Sequence, residues 1–432
     1  MPRISPDGCT ILFDKSGWHT DGSVQSWQLT VYEETPTPAW FGQGITYQIF
    51  PDRFCRLSVP DPAGMIGGRW VHENWSDIPE WQPDSQGEVR NRDFFGGSLQ
   101  GILSKLDDLA AFGVTTLYLN PIFESASNHR YNTADYLAID PMLGTEADFR
   151  QLCREAKSQG IRVILDGVFN HTGSQSRYFN ADGFYPAPGA AQSQDSPYFS
   201  WFSFHPWPTD YDAWWGIKTL PAVQESADSY RRFIIRDGDS VVRHWLRQGA
   251  SGWRLDVADE LPDDVLRDLR TAAKQTDPDS VLLGEVWEDA VTKVSYGARR
   301  QYALGDALDS VMNYPLRDAL ILFLTGRSTA RALADLLLSQ RLNYPQPLYY
   351  ALMNLTASHD VARTRSALAL DFDPRSRTRA ELAALEITDA MAARGAQLQV
   401  LAAAVQFWLP GIPSIYYGDE AGMQGLCDPF NR

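Results

Sequence analysis

The sequence is short of the features that would make a disulfide scaffold, a membrane protein or a nucleic-acid binder. Among 432 residues there are only four cysteines. Cys9, Cys55, Cys153 and Cys427 lie far apart, with no CxxC pair and no metal-ligand spacing, which argues against a disulfide framework or a zinc site. No stretch approaches the roughly 20 apolar residues of a membrane-spanning helix. The opening "MPRISPDGCTILF" lacks a basic segment followed by an apolar one, so it does not read as a secretory signal. A cytoplasmic protein without a membrane partner is the expectation. Basic residues are also scarce: 38 Lys and Arg stand against 54 Asp and Glu, a formal net charge of -16. A nucleic-acid partner is excluded on that ground, because such binding needs a basic surface to release counterions.

What is present is enough for a large core. Apolar residues make up 44% and charged residues 21% of the chain, the balance of a globular protein rather than a disordered one. Fourteen tryptophans offer flat apolar faces with a polar edge, which suit sugar rings, although most are expected in the core. From about residue 45, short apolar runs alternate with amphipathic segments. The runs are "ITYQIF", "TTLYLNPIF", "IRVILDGVF", "SGWRLDV", "VLLGEVW", "DSVMNY", "LYYALMNL" and "PSIYYGD". Between them lie helical patterns such as "LQGILSKLDDLAAFG", "TEADFRQLCREAKSQG", "SVVRHWLRQG", "DDVLRDLRTAAK" and "TARALADLLLSQR". Thr145 followed three residues on by Asp148 predicts a capping box for the second of these. Strand then helix, repeated, predicts an α/β fold with a parallel sheet, and eight strand candidates make a closed (β/α)8 TIM barrel the leading choice; an open doubly wound sheet is the alternative.

Residues 172–230 break that rhythm. They are rich in Pro, Gly, Ser and aromatics and follow the third strand, on the side where such barrels carry their active sites. Polar residues recur at the strand ends, where burying a carboxylate is costly unless it is paired or used. The third strand ends in "LDGVFNHTG", giving Asp166, Asn170 and His171, the fourth carries Arg254 and Asp256, the fifth Glu285, and the seventh leads to His359 and Asp360. Arg254 and Asp256 are two apart in "SGWRLDVADE" and so share a strand face. A structural ion pair is the competing reading for those two, but the whole set converges on one rim.

These segments resemble the sequence regions of the α-amylase family, family 13 of the glycoside hydrolases, over nearly the whole chain from about residue 41. "YQIFPDRF" (Tyr47–Phe54), "SNHRYNTADYLAIDP" (Ser127–Pro141), "WWG" (Trp214–Gly216) and "YYGDEAGM" (Tyr416–Met423) resemble its cyclomaltodextrinase, maltogenic amylase and neopullulanase branch. The resemblance implies that Asp256 is the nucleophile, Glu285 the general acid and then base, and Asp360 the carboxylate that holds sugar hydroxyls. It implies that His171 and His359 bond hydroxyls of the same sugar and that Tyr131 stacks on it. Asp166 and Asn170 are expected to brace the rim, and Trp214, Trp215 and Trp287 are candidates for substrate stacking. The expected chemistry is retaining hydrolysis, for which two carboxyl groups roughly 5–5.5 Å apart are required. Arg254 is expected to keep Asp256 ionised while burial keeps Glu285 protonated, so that the two shift in opposite directions.

The expected substrates are α-1,4 and, secondarily, α-1,6 glucosidic bonds in maltooligosaccharides, cyclodextrins or related glucans, with transglycosylation as an accompanying outcome. Three departures stand out. Where the branch has "MPKLN", this chain reads "LPAVQE" (Leu220–Glu225). The loop after "PDRF" reads "CRLSVPDPAG", poor in calcium ligands, so no cofactor is required and calcium is not supported. Finally, residues 1–40 read as a remnant of an N-terminal β-domain and linker, with "SWQLTVYEE" its last strand, and 41–432 as the barrel with an inserted domain at about 172–230. The terminal β-domains of relatives are expected to be truncated or absent, which leaves homo-oligomerisation open. An inactive fragment, a non-catalytic carbohydrate-binding relative and a sucrose- or trehalose-acting transglycosylase are the alternative functions.

Overall fold

The computed structural model describes residues 12–14, 17–19, 28–85, 89–295 and 297–432. Eight strands form one parallel sheet: β1 (Ile45–Ile49), β2 (Val114–Leu119), β3 (Arg162–Gly167), β4 (Gly252–Leu255), β5 (Val281–Gly284), β6 (Ser310–Val311), β7 (Met353–Leu355) and β8 (Ile412–Tyr416). Their spatial order runs 6-5-4-3-2-1-8-7. A parallel bridge between Met312 and Met353 joins the two ends. The sheet is therefore a closed (β/α)8 barrel, not an open doubly wound sheet. Every residue of β1, β4 and β5 is buried, as expected of strands covered on both faces. β4 and β5 approach closely because Gly252 has no side chain; a Cβ there would collide with the Val281 carbonyl.

The outer helices include α1 (Leu99–Leu103), α2 (Leu106–Phe112), α3 (Glu146–Ser158), α4 (Val241–Arg247), α5 (Asp263–Thr276), α6 (Tyr314–Leu324), α7 (Ala330–Asn343) and α8 (Asp389–Trp408). α3 starts where the sequence predicts: Thr145 Oγ1 accepts from the Asp148 amide at 3.2 Å and Asp148 Oδ2 from the Thr145 amide at 2.7 Å. Its inward face is Phe149, Leu152, Cys153 and Ala156, spaced at helical period. Each large member contributes about 1.5–3 kcal/mol by leaving water. α2 stops at Gly113, whose φ of 93° turns the chain directly into β2.

Four sequence expectations need correcting. "LQGILSKLDDLAAFG" forms two helices, α1 and α2, rather than one. In "LYYALMNL" only Met353–Leu355 is strand. Gln346–Ala351 is helical, because Pro345 and Pro347 preset the backbone of its first turn. No helix is described between β5 and β6; the short hairpin Val294–Ser295 with Ala298–Arg299 takes that place. "SWQLTVYEE" is not a strand over residues 28–34. That segment satisfies its polar groups against the barrel instead, Glu33 N donating to the Leu304 carbonyl at 2.9 Å and Thr30 Oγ1 to the Asn343 carbonyl at 2.7 Å. Most of residues 1–27, including Ser26 and Trp27, lies outside the described residues.

Residues 172–230 are mostly turns, and the segment returns to its start through a bridge between His171 and Ala222. Its aromatic residues Tyr178, Phe179, Trp201 and Phe202 are buried and belong to the same core cluster as the barrel side chains. Among the described residues no helix is long and apolar enough to cross a membrane.

Candidate active site

Strand register brings the acids together. Arg254 lies opposite Asp166 on β3 and Leu283 on β5, and Leu255 opposite Gly167 and Gly284. The next residues, Asp256 and Glu285, therefore emerge side by side at the C-terminal rim. Their amides complete the ladder, to the Gly167 and Leu255 carbonyls, each at 3.0 Å. Beneath them the Arg254 guanidinium is fully buried. Its Nη1 donates to Asp166 Oδ1 and Asp256 Oδ1, both at 2.7 Å, and its Nη2 lies 2.8 Å from Glu285 Oε2. Glu285 Oε2 also accepts from the amide of Val257, whose φ of 42° is left-handed. Glu285 Oε1 accepts from Trp287 Nε1 at 3.2 Å.

This arrangement corrects one expectation. Arg254 does not serve Asp256 alone; one positive charge is divided among three carboxylates. Burial, reinforced by Glu285 and Asp166, pushes Asp256 well above the usual carboxylate range, with Arg254 only partly opposing it. The idea that Asp256 and Glu285 are driven in opposite directions by a private Arg254–Asp256 pair is therefore withdrawn.

A second layer fixes the first. Asp166 Oδ2 accepts from the Tyr118 and Tyr131 hydroxyls at 2.6 and 2.7 Å. The Tyr131 oxygen in turn lies 2.6 Å from His359 Nε2 and accepts from Asn120 Nδ2 at 2.9 Å. Gln48 Nε2 is 2.9 Å from His359 Nδ1. Burial holds His359 far below the usual histidine range. The ring is thus neutral: Nδ1 accepts from Gln48, and Nε2–H points at Tyr131 and at Asp360 Oδ1, 3.1 Å away. Asp360 keeps 29% of its side chain accessible and accepts from the Tyr314 hydroxyl at 3.2 Å. Burial and then the neighbouring Glu285 push it up to about 7.

His171 completes the rim: its Nε2 meets the Tyr131 carbonyl at 3.1 Å and its ring stacks on Trp214 at 5.3 Å. Its Nδ1 is buried without a hydrogen-bond partner, and burial pushes its pKa down to about 4. Trp214 and Trp215 stack at 5.2 Å, and both indole N–H groups donate to Glu260. Trp287 stacks on Tyr314 at 3.8 Å. Asn170 braces the segment that follows β3 through its carbonyl, which accepts from the Val223 amide at 3.0 Å.

Asp256, Glu285, Asp360, Tyr131, His171, His359, Trp214, Trp215 and Trp287 all border one cavity of about 740 Å³. Asp166 and Arg254 lie below its floor, and Asn170 lines a neighbouring cleft instead. The sequence reading missed Gln48, Tyr118, Asn120, Glu260 and Tyr314. Gln48 and Asn120 carried a usable signal, since each is a polar residue inside an otherwise largely apolar run, "ITYQIF" and "TTLYLNPIF".

A family description, alpha amylase catalytic domain, matches residues 48–429. The chain belongs to the alpha-amylase family. Among its relatives is an amylopullulanase of Thermoanaerobacterium saccharolyticum, 37% identical over 96% of this chain but only 34% of its own length. Neopullulanase 2 of Thermoactinomyces vulgaris is 33% identical over 99% of this chain and 65% of its own. Among solved structures, the cyclic alpha-maltosyl-(1→6)-maltose hydrolase of Arthrobacter globiformis superposes with a TM-score of 0.72 at 33% identity, over 92% of this chain and 78% of that one. This chain therefore spans about a third of the amylopullulanase.

The family resemblance raised calcium after Phe54, and the residues there do not fit it. Arg56 Nη1 donates to the His72 and Phe95 carbonyls at 2.8 and 3.2 Å, and Nη2 to the Glu73 carbonyl at 3.0 Å. The nearby Asp52 is engaged by Arg53 Nε and the amides of Phe95 and Gly96. Oxygens that could ligate a cation already meet a guanidinium. Among the described residues no cluster of three or more His, Cys, Asp or Glu is placed to hold a metal.

Proposed function

We propose that this chain is a retaining hydrolase of α-1,4 glucosidic bonds, and secondarily of α-1,6 bonds, in maltooligosaccharides, cyclodextrins or related glucans. One observation carries the reading. Asp256 and Glu285 leave adjacent in-register strands and both touch one guanidinium, at 2.7 and 2.8 Å. Adjacent parallel strands lie about 4.8 Å apart, and the retaining pathway needs about 5–5.5 Å between its two carboxyl groups, whereas inversion needs 6.5 Å or more.

In this reading Asp256 attacks the anomeric carbon while Glu285 protonates the departing glycosidic oxygen. Glu285 Oε2 is occupied by the Val257 amide and Arg254, so Oε1, which among the described residues is met by Trp287, carries the transferred proton. A glycosyl ester forms on Asp256. Glu285, now ionised, takes a proton from water, which attacks the same carbon from the vacated side, breaks the ester bond so that Asp256 leaves as a carboxylate, and restores the starting anomer. Transfer to a sugar hydroxyl in place of water is the accompanying outcome. Asp360 and neutral His359 and His171 bind ring hydroxyls, and Tyr131 offers its face to the ring. No step draws on a metal or organic cofactor. The pullulan- and maltose-based names of the relatives support the substrate class, and the barrel from residue 41 with its insertion at 172–230 belongs to the same proposal, as does a cytoplasmic location.

Glu285→Gln is the direct test. It should lower turnover of maltotriose and pullulan by about 10³-fold or more while leaving the thermal melt cooperative. Wild-type-like turnover, or a product released first as the β-anomer, would overturn the reading.

A further inference from the structure

The buried, neutral ring of His359 carries its proton on one of two nitrogens, and the rim of the cavity offers different chemistry with each choice. We propose that Gln48 makes that choice: it is a positioning residue on β1, off the cavity wall, that holds His359 with its proton on Nε2, towards the reacting sugar. The inference rests on the hydrolase reading given above and deepens it.

The assignment follows from counting hydrogens. Gln48 Nε2 has two to give, and two acceptors meet it: Asn120 Oδ1 at 3.0 Å and His359 Nδ1 at 2.9 Å. With both given, Asn120 turns Nδ2 to the Tyr131 oxygen at 2.9 Å. His359 Nε2–H is then shared between the same oxygen at 2.6 Å and Asp360 Oδ1 at 3.1 Å. Tyr131 is left free to give its single hydrogen to Asp166 Oδ2 at 2.7 Å. None of these contacts lacks a hydrogen.

The opposite direction fails. If the Gln48 amide were turned round, His359 Nδ1–H and Asn120 Nδ2 would both point at Gln48 Oε1. Tyr131 would then have one hydrogen for Asn120 Oδ1, His359 Nε2 and Asp166 Oδ2 together. A bare Nε2 would also face the Asp360 carboxyl. Only the first direction is self-consistent.

Stability alone does not account for Gln48. Its side chain is buried, and its Oε1 has no hydrogen-bond partner. The donor side of the amide is fully used while the acceptor side is unserved. A buried orphan of this kind weakens a fold, so its presence calls for another reason. The division of roles at the rim supplies one. With Nε2 protonated, a sugar hydroxyl between the two side chains meets His359 as donor and Asp360 as acceptor. With Nε2 bare, two acceptors would compete for the hydroxyl's one hydrogen. Sugar hydroxyls become stronger donors as positive charge develops on the ring, so that competition is felt most in the transition state.

The test uses the full chain with isotopically labelled histidine. Long-range NMR correlations tell a bare ring nitrogen from a protonated one, and His359→Asn identifies the signal by its loss. Wild type should show Nδ1 bare and Nε2 protonated; the reverse overturns the proposal. In Gln48→Glu the side chain has no hydrogen to give as a carboxylate and only one as an acid. That variant should move the proton to Nδ1 and lower kcat on maltotriose by about 10²-fold, with KM changed by less than about threefold. Gln48→Met keeps the volume without the charge and stands in if the glutamate variant fails to fold. Its Nδ1 should take the signature of an unbonded nitrogen, and kcat should fall about tenfold. Wild-type kcat in the folded variant, or a loss of kcat with the His359 signals unmoved, overturns the proposal. Absence of maltotriose turnover in wild type sinks the hydrolase reading and leaves the nitrogen signals to judge the placement of the proton by themselves.

Discussion

Two buried charge clusters in this molecule have opposite balances. At the barrel rim, Arg254 alone faces Asp166, Asp256 and Glu285. Where the excursion after β2 meets the loop after β1, Asp140 alone faces two guanidiniums: Arg69 of that loop holds it with Nη1 and Nη2 at 2.8 and 2.9 Å, and Arg130 Nε lies 3.2 Å away. The Asp140 cluster is fully sealed, with all three side chains at 0% accessibility. The rim cluster opens upward, Asp256 and Glu285 keeping 10% and 7%. Surplus cations around a sealed acid fix a fold, because the arginines never need to lose a proton. Surplus carboxylates at a cavity floor leave a proton to be placed, which is what acid–base chemistry requires.

The sharpest way to break that contrast is to remove the central charge of each cluster. Arg254→Met strands three acids, and should cost about 3–5 kcal/mol of stability together with about 10²–10³-fold in kcat. Asp140→Asn should cost stability of the same order but leave the kcat of the folded enzyme unchanged. Denaturant titrations and maltotriose kinetics on both variants read this. Equal losses of kcat would erase the distinction drawn between the clusters.

A smaller effect sharpens it through pH. Asp360 sits at about 7 in the folded protein against an ordinary value of 3.8, because of burial and Glu285. The folded state then binds the proton more tightly than the unfolded one. The acid costs nothing below the unfolded value, its cost grows as pH rises towards 7, and above that it is fully felt. Asp360→Asn cannot ionise, so it should be more stable than wild type by about 2–4 kcal/mol near pH 8 and by little near pH 4, while losing activity. Urea melts at the two pH values measure the difference; a gap independent of pH would mean that Asp360 is not held in its neutral form.

How much of this was legible beforehand follows from the same physics. Asp256, Glu285 and Asp360 stood out because a carboxylate in an apolar alternation is costly, and Arg254 because two residues apart on a strand means one face. What pairs with what did not show. The division of Arg254 among three acids depends on the register of β3, β4 and β5, which no single strand encodes. Nor did the neutral chain from Gln48 through His359 to Tyr131, whose rings lie parallel at 5.2 Å although the two residues are 228 apart in sequence. The missing helix between β5 and β6 left only an absence of period. The turn at Pro345 and Pro347 was readable, but an apolar run of "LYYALMNL" suits strand and buried helix equally.

The smallest expected effect concerns a third guanidinium. Arg56 collects the carbonyls of His72, Glu73 and Phe95 and lies over the Trp75 ring at 5.5 Å. It holds the loop after β1 as a bound cation would, with the charge supplied covalently. Charge-assisted hydrogen bonds contribute about 1.5–3 kcal/mol each at best, and this side chain is partly solvated, so Arg56→Gln should lower stability by about 1–3 kcal/mol. Chelation should leave the wild-type melting temperature where it is, since no metal has to be lost for the loop to open. A fall in wild-type Tm on adding EDTA, restored by calcium, would show that the guanidinium does not do this work. A fall confined to Arg56→Gln and unaffected by either reagent would show that it does. The rim and the loop then differ in kind: at the rim one arginine is outnumbered so that a proton can move, and here one arginine is surrounded by neutral oxygens so that nothing does.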